Sequence, residues 1–345
     1  MAMELMATRR WGRRGLLPAC LLLPCLACLA SMAMAQEAAP APAQEVAPAV
    51  TASVAAPAAV VSQGFDWRGV RSVLFRVRSP QPGAADNLVL GTIHIGTPAE
   101  LGLDDERVRA AVRARRTLIN EVDGDTPWLP RYDRYRFLAP EQSLAMLIGG
   151  TQFIELLTLL PEYDGQQLNR FKPWVAMTLL EQGLDRSDPG DTNPARRNLD
   201  TVVENTAREQ GLRLVHLETM EDQLAALDCT TPQEYAPVLS QRLADPQELR
   251  AETERALGFY RAGDLAGWLA DLDVLRGLDA SARQAEQRAR DCLIEQRNAR
   301  WIEELEPLLL EGDCFVAIGA IHLAGDNGLL AGLARRGFEV SVQAW

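Results

Sequence analysis

The chain has 345 residues, of which 47% are apolar and 24% charged, with a formal net charge of −12 at pH 7. That apolar share supports a full core and excludes disorder of the chain as a whole, while the length bounds it at one large domain or two small ones. The acidity argues against nucleic acid or an anionic membrane surface as partner, because phosphates would be repelled.

The N-terminus has the three zones of a secretion signal. Arg9, Arg10, Arg13 and Arg14 form a basic stretch, Gly15 to Ala30 an apolar run, and Ala33-Met34-Ala35 a small-x-small site that predicts cleavage before Gln36. The apolar run is too short for a comfortable membrane span. Residues 1–35 are therefore expected to leave, and the mature chain to work in the periplasm or as a secreted protein without a transmembrane segment. Leu26-Ala27-Cys28 also resembles the end of a lipoprotein signal, although Cys25 stands where an aliphatic residue is wanted, so a lipid anchor is a competing expectation. The four arginines and Glu4 give the leader +3, which leaves the mature part at −15.

Residues 36–62 are almost all Ala, Pro, Val, Gln and Glu and read as an extended tether. The folded domain is expected over 63–345. Arg71–Arg78 and Leu88–His94 flank a Pro/Gly turn and predict a hairpin. A short amphipathic helix follows over 104–115, then a strand over 117–122. Residues 132–185 read as helices broken at Pro161 and Pro173. Next come a helix over 199–210, a strand over 212–217, and helices over 219–228, 246–262, 264–273 and 280–310. A strand over 313–319, a helix over 327–336 stopped by Gly337 and a strand over 338–342 end the chain. Strands and helices alternating at both ends, with helices between, predict an α/β fold: a central mixed sheet flanked by helices, with a helical insertion in the middle of the chain.

Three cysteines lie in the leader, and Cys229, Cys292 and Cys314 remain. Their spacing argues against a zinc knot. Export permits a Cys229–Cys292 disulfide with Cys314 in the core, and three unpaired cysteines are the alternative.

Of only three histidines, two share one context: Gly91-Thr92-Ile93-His94 and Gly319-Ala320-Ile321-His322 each end an apolar run. In α/β sheets functional groups sit at the carboxyl ends of strands, and the glycine lets a neighbouring backbone or a ligand come close. A single strand-end histidine is more often a core residue, but two in matched settings point to a site. Glu121 ends the strand over 117–122 and supplies a carboxylate. Two histidines and one carboxylate with open positions suit a divalent ion that activates water, with His94, His322 and Glu121 as candidate ligands. Arg297 is a candidate clamp for a substrate carboxylate, with a surface ion pair as the plainer role. Glu218 is a candidate partner of the site or fourth ligand. His216 is expected in the core, Trp174 and Trp268 in the core or cleft walls, and Asp326 and Asn327 as caps of the next helix.

Several blocks together resemble the TraB/GumN family, whose animal relatives include the TIKI proteases that act on Wnt. They are Leu90-Gly91-Thr92-Ile93-His94-Ile95-Gly96, Asn120-Glu121-Val122, and His216-Leu217-Glu218-Thr219 with Gln223. The others are Tyr260 with Gly263-Asp264-Leu265, Arg297-Asn298 with Trp301, and the stretch from Ala317 to Leu330 with Gly337-Phe338. The resemblance spans roughly residues 65 to 345. It departs in the stretch DPGDTNPARRNLD, which keeps Leu199-Asp200 without the usual Gly-rich lead. The resemblance implies a catalytic set of His94, Glu121 and His322 and, from the TIKI branch, metal-dependent peptide cleavage with manganese or cobalt. Similar folds serve haem-related iron handling and macrolide esterases. The leading expectation is thus an exported metal-dependent hydrolase acting on peptides or another small extracellular substrate. The rivals are a metal-free esterase-like site, in which one histidine is the base for water and Glu121 orients it, and a non-catalytic binder of a metal, haem or polysaccharide intermediate. Nothing in the sequence signals an oligomeric state.

Overall fold

The structure is a computed structural model and describes residues 65–185 and 198–345. The expected leader, tether, lipoprotein-like Cys28 and most of the stretch before Leu199 lie outside the described residues.

Six strands form one mixed sheet: β1 (Leu74–Arg78), β2 (Asn87–Thr92), β3 (Thr117–Asn120), β4 (Arg213–His216), β5 (Cys314–Gly319) and β6 (Glu339–Val342). They lie in the order β4-β3-β5-β2-β1-β6. β1 and β2 are the expected hairpin, with Leu74 opposite Leu90, and β6 pairs antiparallel with the outer edge of β1. The remaining neighbours, β2 with β5, β5 with β3 and β3 with β4, are all parallel. β2 is buried throughout and β5 almost so, which is why both read as unbroken apolar runs: helices cover both faces. The one polar residue at the start of β2, Asn87, is satisfied inside. Its Nδ2 donates to the carbonyls of Val77 and Leu309, and its Oδ1 accepts from the Cys314 N–H.

The expected helical insertion fills the segments on either side of β4, and the α/β class holds. One hydrophobic cluster surrounds the sheet, around Phe75, Leu90, Phe315 and Trp301. A second lies among the inserted helices, around Leu144, Phe171, Trp174 and Leu239. The helix Pro232–Ala244 in this second cluster has no counterpart in the sequence reading, because Pro237 interrupts its pattern, yet Thr231 and Glu234 cap it reciprocally.

The long helix expected over 280–310 is two helices, Ala280–Arg290 and Gln296–Glu311, joined by one π-helical segment, Asp291–Glu295. The first half buries Ala282, Ala285 and Ala289, the second Arg297, Asn298, Trp301 and Leu305. The wider turn resets the buried face between the two halves. Cys292 lies in that turn and is disulfide-bonded to Cys229, as the sequence allowed, while Cys314 is free and buried. The bridge closes a loop with a sequence separation of 63. By chain entropy, the double variant Cys229→Ser/Cys292→Ser should lose up to about 4 kcal/mol, read as a fall in the denaturant midpoint.

Trp174 is buried and Trp268 packs on the sheet cluster, as expected. His216 is half-buried, with Nδ1 2.6 Å from Asn120 Oδ1 on the neighbouring strand. The capping role expected of Asp326 and Asn327 is not met. The helix Leu329–Arg335 starts from Gly328 with no side-chain cap. Asp326 instead accepts from Trp67 Nε1 and from Arg68, holding the first described turn of the chain against the loop after β5.

Candidate active site

Four parallel strands end on one edge of the sheet, in the order β4, β3, β5, β2. Just past their ends stand Glu218, Glu121, His322 and His94 respectively. Side by side these strand ends span three strand spacings, roughly 14 Å. This edge is where open α/β sheets hold their ligands.

His322 lies in the 3-10 turn Ala320–Leu323 and is buried. Its Nδ1 is 2.8 Å from Asn298 Oδ1, while Asn298 Nδ2 donates to the carbonyls of His322 and Asn327. Asn298 Oδ1 can only accept, so Nδ1 carries the ring proton and Nε2 presents its lone pair. Arg297 Nη1 faces that lone pair at 3.3 Å. Burial pushes the His322 pKa down to about 3, and Arg297 adds to this against the opposing charge of Glu121. The ring is neutral.

Arg297 is fully engaged. Nε donates to Glu218 Oε2 at 3.1 Å. Nη2 donates to Glu218 Oε1 and to Glu121 Oε2, both at 2.7 Å. Nη1 donates to the Leu293 carbonyl at 3.2 Å, besides facing His322. A guanidinium has five N–H groups, and these contacts use all of them. Its plane also lies over Trp301, 4.3 Å from the ring centroid. The Glu121 pKa is held at about 2: burial works against the charge, and Arg297, then His322 and His94, outweigh it. Glu218, forked by the same guanidinium, is pushed up from the ordinary carboxylate range by burial.

The glycines of the two histidine blocks have steric reasons. A Cβ on Gly319 would stand 3.2 Å from Glu121 Oε1, which accepts from the Gly319 N–H at 2.7 Å. A Cβ on Gly91 would meet Ala320 Cβ at 2.8 Å and Ala320 Cα at 2.9 Å, pressing on the turn that carries His322. Gly91→Ala should therefore cost about 1–3 kcal/mol as overpacking, and its unfolding midpoint measures it. The Tyr260 block is likewise structural: Tyr260 donates to the Gly91 carbonyl at 2.7 Å, and Gly263, at φ 62°, accepts from the Ser72 N–H.

His94 is the open member of the row. Its side chain is 44% exposed, against 11% for Glu121 and 2% for Glu218. Its Nδ1 is 3.0 Å from Asp200 Oδ2, in the first turn of the helix Leu199–Gln210. The ring sits in a dense surround despite its open edge. That surround works against a charge, but Asp200 outweighs it, with Glu121 adding, and raises the His94 pKa to about 9.

A family model for the TraB/PrgY/gumN family matches residues 74–342, from β1 through β6. The chain belongs to that family. No curated protein and no solved structure matches it.

The edge of this TraB/PrgY/gumN sheet therefore gathers His94, Glu121, His322, Arg297 and Glu218. Among the described residues, no group of three or more His, Cys, Asp and Glu side chains stands where it holds a metal ion. The set expected to bind Mn, Co or Zn does not fit one as arranged. The guanidinium of Arg297 fills the space between Glu121, Glu218 and His322, and takes the His322 lone pair. Nor has Arg297 an N–H left to clamp a substrate carboxylate. The acid beside His94 is Asp200, not Glu121. Sequence alone does not mark Asp200 and Asn298 as site residues, although Leu199-Asp200 and Arg297-Asn298 both belong to the stretches that resemble the family.

Proposed function

We propose that this TraB/PrgY/gumN protein is a hydrolase in which the His94–Asp200 pair activates water against the carbonyl carbon of an ester or peptide. The observation that carries the reading is the open edge of His94, whose Nδ1 is pinned by Asp200. With Nδ1–H directed at the carboxylate, Nε2 is the base. Neutral His94 takes a proton from water as the oxygen attacks. The imidazolium then returns that proton to the leaving oxygen or nitrogen, and Asp200 stabilises the charged ring between the two steps. Glu121, ionised and held by Arg297 and the Gly319 N–H, adds negative charge on the side facing His94. A folded pKa of about 9 makes the base form grow with pH, so kcat/KM should climb as pH approaches that value.

The Cys229–Cys292 disulfide supports an oxidising compartment and so favours the reading of residues 1–35 as a secretion signal. No helix among the described residues is long and apolar enough to cross a membrane.

A second reading, metal-dependent hydrolysis, is favoured by both histidines and Glu121 sharing one edge, but it requires Arg297 to leave its seat. Chromogenic esters and fluorogenic peptides, assayed with EDTA and with added Mn, Co or Zn, separate the two. Hydrolysis indifferent to chelator supports the His94–Asp200 base. Activity abolished by chelator and restored by an ion transfers the proposal to the metal. Tight ligand binding without turnover on any substrate points to a binding protein.

A further inference from the structure

The structure assigns to Arg297 the seat of a site cation: it closes a three-ligand pocket of Glu121, Glu218 and His322 that binds a divalent ion once the guanidinium is removed. This deepens the metal-free reading, but its readouts are ion binding and stability, so the two can fail separately.

Three features make the seat a latent ion site. First, the donors converge. Glu121 Oε2 and Glu218 Oε1 both lie 2.7 Å from a single nitrogen, Arg297 Nη2. Shortening these contacts to the roughly 2.0–2.2 Å of a metal–oxygen bond takes about half an ångström of movement on each side. Second, His322 already has the tautomer that a ligand needs. Asn298 holds its Nδ1–H from behind, the kind of outer support that metal-bound histidines have, and leaves Nε2 3.3 Å from Nη1, the other terminal nitrogen of the same guanidinium. Third, the charge demands a cation. Two carboxylates, 11% and 2% exposed, and a neutral imidazole surround a place where water has little access.

In the wild-type chain that demand is already met. Evicting Arg297 would cost five hydrogen bonds and its stacking on Trp301, and the guanidinium is only 6% exposed, so it has no nearby solvent to move into. Arg297 thus excludes divalent ions by occupancy. One neighbour could take its place. Arg300 Nη2 is 3.8 Å from Glu218 Oε2 and half exposed, so after loss of Arg297 it can swing towards the carboxylates.

The test measures thermal unfolding and metal content of the full chain with Mn, Co and Zn added separately. Four forms are compared: wild type, Arg297→Ala, Arg297→Ala/Arg300→Ala, and Arg297→Lys. Wild type and Arg297→Lys, which keeps a cation, should bind no stoichiometric ion and show no ion-dependent change in Tm. At least one alanine form should bind near-stoichiometric metal and gain roughly 5 °C at a hundredfold excess over Kd. Cobalt should give a visible absorption band in that form, lost when Glu218→Gln is added. If an alanine form folds only when refolded with metal, that also supports the seat. Stoichiometric metal in the wild type that is lost in His322→Asn overturns the inference. So does an absence of any metal response in both alanine forms, or a response in Arg297→Lys equal to theirs.

Discussion

Arg297→Met is expected to lower the stability of the fold by about 3–5 kcal/mol, the usual loss when one partner of a buried ion pair is removed. The side chain that replaces Arg297 fills much of the volume, so the loss is electrostatic rather than a cavity effect. Glu121 and Glu218 would remain buried with no cation between them, and His322 Nε2 would lose its donor. The defect has a pH signature. In the wild type the Glu121 pKa is depressed from 4.5 to about 2, so its contribution is fully present above 4.5 and lost as pH falls through 2. The gap between wild type and variant should therefore be widest above pH 4.5 and narrow on acidification. Arg297→Lys should recover only part of the loss, because an ammonium cannot fork two carboxylates. Urea unfolding of the three forms across this pH range measures all of it. A loss in Arg297→Met below about 1 kcal/mol, the value of an exposed pair, contradicts the buried network.

His94→Ala is expected to cut turnover by roughly 10²–10⁴-fold, the share a positioned general base contributes. It should keep the fold, with any fall in Tm confined to pH below about 9, where the charged ring's pairing with Asp200 contributes, and absent at alkaline pH. His322→Ala should behave in the opposite way. That ring is buried, packs 4.6 Å from Trp301 and is held by Asn298, so the substitution costs stability first. Asp200→Asn should lower activity while keeping the fold, since the amide cannot support an imidazolium as a carboxylate does. Retained turnover in His94→Ala beside its loss in a folded His322 variant would move the base to the other histidine block.

The legible parts of this protein are those encoded over short stretches. The apolar runs into His94 and His322 mark two buried strands, and their ends fall on one edge because β2 and β5 are parallel neighbours. Glu121 and Glu218 join the row for the same reason. What escaped were relations between distant residues. Asp200 reaches His94 across 106 positions, and nothing local separates it from any acid in a first helical turn. Arg297 would look the same on a helix surface. Its partner Glu121 lies 176 positions away, and only tertiary packing turns the plainer ion pair into a filled seat. The π-helical turn at Cys292 is invisible to a helical pattern because one added residue changes the buried face without breaking the helix. Asp326 looked like a cap and serves instead as the anchor of Trp67 and Arg68, a contact across more than 250 positions.

The most direct test of the reactive pair is a pH titration of the imidazole resonances by NMR, which three histidines keep simple. His94 should titrate at about 9 in the wild type and move towards its ordinary value of 6.5 in Asp200→Asn. A raised histidine pKa stabilises the fold below 6.5, and that stabilisation is lost as pH rises through the folded value, so the two forms should converge in stability at alkaline pH. His322 should stay neutral until pH approaches about 3. A His94 that titrates near 6.5 in the wild type, or that Asp200→Asn leaves unmoved, contradicts the pairing and with it the proposed base.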